Sequence, residues 1–411
     1  MRGEGRPGKP AGAQATCGTL TPWRYTVTVT GGGRSERIDQ LRGFAALLVV
    51  TCHLAVSAYD GAPNLGGAPW PWLGLALGFG YLGVPLFFVI SGFCIHLPQA
   101  RALAAAGPAL VSPSWRRFFA RRFWRLYPPY LAAGAVALAL ASLVNGFPPV
   151  SWVAVAAQAL LVHSFHTATF DGVNPPAWTL AVEAQLYFAY PIVFRLIARR
   201  GAIGGLTIVL GVTMAYRLAL AFAPLPAALG GPAWEFFLAR WFEWVLGAVV
   251  AEWAVGRVAL PRAVFAPWLA ALVLGLGVLL EWHSWRYGLY TLKEPLYGIA
   301  FALVLCVALA RERAGAASAI GRYFAGLGVY SYSLYLLHRP IQLAFEPLVR
   351  HVAAWPFVVE HGLPSSLLIM EATTPIVLWA SRLFYRYCEA PSIRRAGRAK
   401  RGELEMHRAN A

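Results

Sequence analysis

Arg37-Ile-Asp-Gln-Leu-Arg42-Gly-Phe-Ala-Ala-Leu-Leu-Val-Val-Thr-Cys-His53-Leu-Ala-Val leads into and largely makes up the first long apolar stretch of the chain, residues 40–58. Its length and composition are those of a membrane-spanning helix. Such a helix tolerates few ionisable groups, because a charge in hydrocarbon is costly, so His53 is a functional candidate by default. Arg42 precedes it by eleven residues. Eleven helical steps are just over three turns, which returns both side chains to one face about 16 Å apart. A cation near one surface and an imidazole near mid-depth describe a path for a long polar ligand.

Working outward, the whole chain has the same character. Of 411 residues, 58% are hydrophobic and 13% charged, a membrane composition. Apolar stretches able to span recur near 40–58, 74–97, 127–144, 178–198, 203–223, 236–255, 263–281, 295–310, 325–345 and 364–386. The net charge of +17 would suggest nucleic acid on a soluble protein. Here loop charges that fix topology explain it better, and no nucleic-acid partner is expected. With 151–165 not crossing, 28 of the 35 basic residues fall on one side and 3 on the other. That bias predicts an all-α polytopic bundle of about ten transmembrane helices, both termini cytosolic, with 151–165 a short re-entrant or interfacial helix. Residues 1–36 read as a flexible cytosolic tail, 37–391 as the membrane domain and 392–411 as a basic cytosolic tail. The five cysteines form no CxxC pair, so neither a disulfide framework nor a metal site is indicated.

Several polar groups stand out against this background. Asp39 gathers with Arg37 and Arg42 at the mouth of the first helix. Capping and anchoring account for Arg37 and partly for Arg42, but not for His53. Asp39 is too far down the helix to orient His53, so it is expected to position Arg42 or Arg37. Ser91, in Gly83-Val-Pro-Leu-Phe-Phe-Val-Ile-Ser-Gly-Phe93, lies among small residues suited to close helix packing, and no base is near it in sequence. In Trp115–Pro128, Arg117, Arg121 and Arg125 recur at four-residue steps, with Trp115, Phe119 and Phe123 roughly opposite. That pattern predicts a helix lying on the membrane surface, its guanidiniums facing lipid phosphates or another anion. Trp178 follows two prolines at a helix start, and Glu183 lies one and a half turns further in. A carboxylate at that depth either meets an acceptor hydroxyl or pairs with an arginine. Ser331, Tyr335 and His338 form one polar stripe, ahead of Pro340, which frees a carbonyl.

In order and spacing these pieces resemble the acyltransferase 3 family of integral membrane O-acyltransferases. Arg42 and His53 match its basic residue, ten intervening residues and histidine. Phe87–Phe93 match its F-F-V-I-S-G-F stretch, and Arg122, Arg125 and Pro128 its R-x-x-R-x-x-P. Trp178–Glu183 match W-[ST]-L-x-x-E, with threonine at 179 where serine is usual. Ser333, Tyr335, Leu336 and His338 match a further pattern, and Glu389 and Pro391 a closing E-x-P. No hydrolase-like domain follows the last span, so the membrane domain alone is expected to serve the acceptor.

The resemblance implies transfer of an acyl group, usually acetyl, from cytosolic acyl-coenzyme A to a hydroxyl of a surface polysaccharide, lipid-linked glycan or macrolide. It implies no permanently bound cofactor and a bacterial inner (plasma) membrane setting among membrane lipids. His53 is then the expected general base, with Arg42 and Glu183 as further catalytic candidates. Arg121, Arg122 and Arg125 are expected to hold the coenzyme phosphates. Asp39, Ser91, Trp178, Tyr335 and His338 are expected in support. A proton-coupled secondary transporter is the chief competing class, since intramembrane His, Glu and Arg mark carriers too. Matching half-repeats are absent from the sequence. A scaffold within a polysaccharide-assembly complex is a third class.

Overall fold

The computed structural model describes residues 35–61, 77–108, 111–144, 149–222, 225–283, 289–312, 318–361 and 363–397. Of the expected tails, 1–36 and 392–411, residues 1–34 and 398–411 lie outside the described residues. Every regular element among the described residues is helical. The principal helices are α1 (Glu36–Gly61), α2 (Gly83–Ala106), α3 (Trp115–Leu143), α4 (Trp152–Ala159), α5 (Trp178–Phe222), α6 (Phe237–Ala254), α7 (Pro267–His283), α8 (Lys293–Ala310), α9 (Ala319–Val329), α10 (Ser331–Ala353), α11 (Leu363–Ala372) and α12 (Thr374–Phe384).

All ten apolar stretches read from the sequence are helical. Six helical segments among the described residues are long and apolar enough to cross a membrane, so this is a membrane protein, but that criterion does not reach the expected count of about ten. One of the six covers two expected spans. It holds Gly201 at φ 74°, a left-handed value that favours glycine, so the 45-residue α5 is two helices meeting at a sharp turn. A Cβ on Gly205 would lie 3.3 Å from Ile197, so the second half folds back beside the first. The short α4 has 8 residues, too few to cross.

One expectation is corrected. The arginine-rich stretch from Trp115 is not a separate surface helix but the first turns of the continuous 29-residue α3, which runs through Pro128 and Pro129. Its rings divide between the bundle and the outside: Trp115 sits edge-on to Tyr190 and Phe194 of α5, whereas Phe119 stacks on Phe188, which is 72% exposed, and Phe123 is 47% exposed. The chain also tolerates Pro128. The carbonyl its ring leaves unpaired, that of Trp124, accepts the hydroxyl of Ser392.

The bundle is centred on a tight crossing of α2 and α6. A Cβ on Gly92 would lie 1.8 Å from the Trp244 carbonyl oxygen, and one on Gly247 2.0 Å from that of Val89. Only glycine allows these backbones to approach so closely. Helix directions alternate, so the bundle has a near end, where α1 starts and α2 finishes, and a far end.

Buried ions concentrate at the far end. Arg217, fully buried, pairs with Glu294. Arg240 bonds Glu235 at 2.6 Å and Glu243 at 3.2 Å. Lys293 meets Glu281 at 2.8 Å, and Glu281 also accepts the hydroxyls of Tyr81 and Tyr297. Pairing is what makes such charges tolerable away from water.

Candidate active site

A cavity in the near half is walled by five helices: α1 gives Arg42, α2 gives Phe87, Ser91 and Cys94, α3 gives Arg122 and Arg125, α5 gives Thr179, Glu183 and Tyr187, and α10 gives Ser331 and Tyr335. Its enclosed volume is about 130 Å³. That admits a thin chain but not a nucleotide, which needs several times more.

Three guanidinium groups line it. Arg42 lies 3.8 Å from Asp39 and donates to Cys94 Sγ at 3.3 Å. Arg125 is held at 2.8 Å by the wholly buried Glu389, whose second oxygen accepts the Ser333 hydroxyl at 2.6 Å and its amide at 3.2 Å. Arg122 packs over the rings of Phe118 and Tyr187. Its buried Nε has no hydrogen-bond partner among the described residues, leaving a donor for an incoming anion. Arg121 is half-buried and does not line the cavity, although it shares a helix face with Arg125 four residues on.

Glu183 is not paired with an arginine among the described residues. Its Oε1 accepts the Ser91 hydroxyl at 2.9 Å and the Tyr187 hydroxyl at 2.5 Å. Ser91 Oγ in turn accepts from Trp244 Nε1 at 3.2 Å. Ser91 thus has a carboxylate beside it, although sequence neighbours offer it no base.

Tyr335 forms the inner wall. Its ring meets Phe87 edge-on at 5.7 Å, while its hydroxyl accepts from Thr179 at 2.8 Å and donates to the Pro176 carbonyl at 3.0 Å. Behind it stands His338, fully buried, with ring centroids 5.6 Å apart. His338 packs on His53 at 5.0 Å. His53 therefore turns inward, but it does not line the cavity: Tyr335 and His338 stand between them.

The hydrogen bonds assign both imidazole tautomers. A carbonyl only accepts, so a ring nitrogen facing one must carry the proton. His338 Nδ1 lies 2.7 Å from the Tyr335 carbonyl oxygen, which leaves Nε2 as an acceptor. That Nε2 faces His53 Nδ1 at 3.4 Å, and the same Nδ1 lies 2.9 Å from the Val49 carbonyl oxygen. His53 Nδ1 is therefore the protonated nitrogen, and the lone pair sits on Nε2.

Trp178, half-buried, opens α5 and stacks on Phe170 at 5.7 Å, two residues below Leu180 on the cavity wall. Sequence reading missed the roles of Trp244, Tyr187 and Glu389, which hold Ser91, Glu183 and Arg125. Glu389 carried a signal, its place in the closing E-x-P. It also missed a wholly buried cluster beside the cavity, in which His96 bonds Tyr190 at 3.0 Å and Glu252 at 2.7 Å, with Arg257 on the same carboxylate.

An acyltransferase-domain family model matches residues 35–382. Acyltransferase MdmB of Streptomyces mycarofaciens is 28% identical over 339 residues, 74% of this chain and 78% of that one. Nodulation protein 10 of Rhizobium leguminosarum bv. viciae is 27% identical over 229 residues, 50% of this chain and 58% of the relative. YrhL of Bacillus subtilis, named for peptidoglycan O-acetyl transfer, is 28% identical over 179 residues, 38% of this chain and 23% of its own. No solved structure matches. With the family model spanning most of its length, the chain belongs to the acyltransferase 3 family and is a membrane enzyme that transfers acyl groups other than aminoacyl.

Proposed function

We propose that the protein moves an acyl group, acetyl above all, from acyl-coenzyme A to a hydroxyl of a glycan, a lipid-linked glycan or a macrolide, with His53 as general base. The near end faces the cytosol of a bacterial inner membrane, and both termini lie inside. One observation carries this reading: a narrow cavity with three arginines at its wall ends on Tyr335, behind which lie His338 and His53. Coenzyme phosphates rest on Arg42, Arg122 and Arg125, whose fork geometry suits them. The nucleotide stays at the mouth, because only the pantetheine arm fits within. Tyr335 must swing aside, and the thioester must pass beside His338, to meet His53. His53 Nε2 then takes the acceptor's hydroxyl proton as its oxygen attacks the thioester carbon. The C–S bond breaks, and the proton passes to the departing sulfur. Arg42 or Ser91 can donate to the tetrahedral oxygen.

A second reading is favoured by the Ser91–Glu183 contact inside the cavity itself. There Glu183 takes the Ser91 proton as Ser91 Oγ attacks the thioester carbon, the C–S bond breaks and the proton passes to the departing sulfur; Glu183 then takes the acceptor's hydroxyl proton as that oxygen attacks the acyl-serine carbon, and returns it to Ser91 Oγ as the ester bond breaks.

Detergent-purified protein given acetyl-coenzyme A and a hydroxyl acceptor should release free thiol. His53→Ala should abolish release while the protein still inserts and accumulates, and Arg122→Gln or Arg125→Gln should raise the coenzyme requirement. Near-normal turnover in His53→Ala, with an acetyl adduct on Ser91 by peptide mass spectrometry, would replace the first reading with the second.

A further inference from the structure

A second cavity lies at the same end of the bundle, between α1, α7 and α8, and shares no lining residue with the first. Its volume is about 490 Å³, the size of a ligand site. Arg37 and Gln40 border it from α1, and Arg311 from the end of α8. Along α8, Val304, Val307 and Ala308 precede Arg311 at helical spacing, so one stripe runs from apolar to cationic over about 10 Å. The polar side chains of α1 and α8 therefore gather at one end of the groove, with the apolar ones deeper and Pro267 and Ala270 of α7 beside them.

The cationic end is set up for an anion. Neither Arg37 nor Arg311 has a carboxylate partner among the described residues. Arg37 instead donates to Gln40 Oε1 at 3.0 Å, which fixes the guanidinium. Gln40 Nε2 is buried on the other side, toward Gly321 of α9. Two guanidiniums at one end of an apolar groove suit a phosphodiester. A free phosphate would make no use of the apolar floor. α7 lies at the rim of the bundle, with Trp268 64% and Leu272 61% exposed, so the groove sits beside lipid. Basic pockets between transmembrane helices take anionic headgroups in this way.

We infer that this groove is a binding site for one anionic phospholipid, its phosphodiester on Arg37 and Arg311 and an acyl chain along Val304, Val307 and Ala308. The test uses the full chain in detergent, with dioleoyl-phosphatidylglycerol and dioleoyl-phosphatidylcholine as probes and native mass spectrometry as readout. Phosphatidylglycerol should be retained and phosphatidylcholine lost. The double variant Arg37→Gln/Arg311→Gln should bind phosphatidylglycerol about thirtyfold more weakly, from the loss of two surface cations. Ala308→Leu, which fills the floor and keeps the charges, should also lose the lipid, which separates groove binding from general surface attraction. Equal retention of both lipids, or undiminished phosphatidylglycerol binding in both variants, overturns the assignment. So does glycerol phosphate displacing the lipid at equal concentration, since the headgroup alone would then account for binding.

Discussion

His338 touches no part of the cavity, yet replacing it should slow turnover by a definite amount. In the resting protein His53 Nδ1–H is shared between the Val49 carbonyl at 2.9 Å and His338 Nε2 at 3.4 Å. When Nε2 takes a proton, the ring becomes an imidazolium and its Nδ1–H turns into a charged donor. His338 Nε2 then accepts a charge-assisted hydrogen bond that exists only late in the reaction. Such bonds contribute about 1.5–3 kcal/mol, and 3.4 Å places this one at the lower end. His338→Phe keeps the ring volume, removes the acceptor and should lower kcat about tenfold at unchanged KM. His338→Gln, whose side-chain oxygen can reach the same donor, should recover part of the loss. Removing a general base costs about 10²–10⁴-fold, so His53→Ala should fall well below His338→Phe. Thiol release from acetyl-coenzyme A by protein in detergent gives both constants. Wild-type turnover in His338→Phe would refute the acceptor role. Activity as low as that of His53→Ala would refute the assignment of the base to His53 rather than His338.

Glu389→Gln removes the charge that holds Arg125 while leaving the cavity's shape, so KM for acyl-coenzyme A should rise about tenfold, from loss of one charge-assisted bond, with kcat nearly unchanged. An equal fall in kcat would place Arg125 in the chemical step instead. Arg240→Met leaves Glu235 and Glu243 without their cation and should cost about 3–5 kcal/mol of stability, read as a lowered unfolding midpoint in detergent. A loss under about 1 kcal/mol would mean that these carboxylates are neutral. Gly247→Leu puts a side chain where 2.0 Å separates an ideal Cβ from the Val89 carbonyl oxygen. It should sharply reduce monodisperse protein after size-exclusion chromatography, whereas parental yield would argue that α2 and α6 can separate without harm.

The helical stretches were legible because a membrane leaves a chain little choice: backbone groups in lipid must bond within their own helix, and apolar run length then marks each span. What the run lengths could not carry was depth. Trp115 to Arg125 has the alternation of a surface helix, and nothing in that pattern distinguishes aromatic rings facing lipid from rings facing Tyr190 and Phe194. The site was legible as separate polar residues in apolar surroundings. Their grouping was not. Arg122 and Arg125 reach the cavity and Arg121 does not, although it lies on the same side of α3 as Arg125, because the packing of α3 against its neighbours is a tertiary fact. Glu183 offered two partners from sequence, an acceptor hydroxyl or an arginine. The bundle supplies hydroxyls from Ser91 and Tyr187. The distance of His53 from the cavity wall was hidden in the same way, since spacing along α1 gives its height and not what α10 inserts beside it.

The prolines show why the sequence motifs depend on one another. Pro340 cannot donate to the Leu336 carbonyl four residues back, and in lipid an unpaired carbonyl is costly. The buried amide of Asn174 donates to that oxygen at 2.9 Å. Asn174 stands just before Pro175 and Pro176, which set the start of α5 and so the heights of Thr179 and Glu183. Pro176 in turn offers its own carbonyl to Tyr335, one residue before Leu336. The aromatic wall and the carboxylate are thereby fixed to each other by the carbonyl that Pro340 leaves open and by that of Pro176. Asn174→Leu should therefore disturb both at once, shifting Tyr335 and Glu183 together although it touches neither. An Asn174→Leu protein that lost stability but kept wild-type kcat and KM would show that the two sides of the cavity are positioned independently.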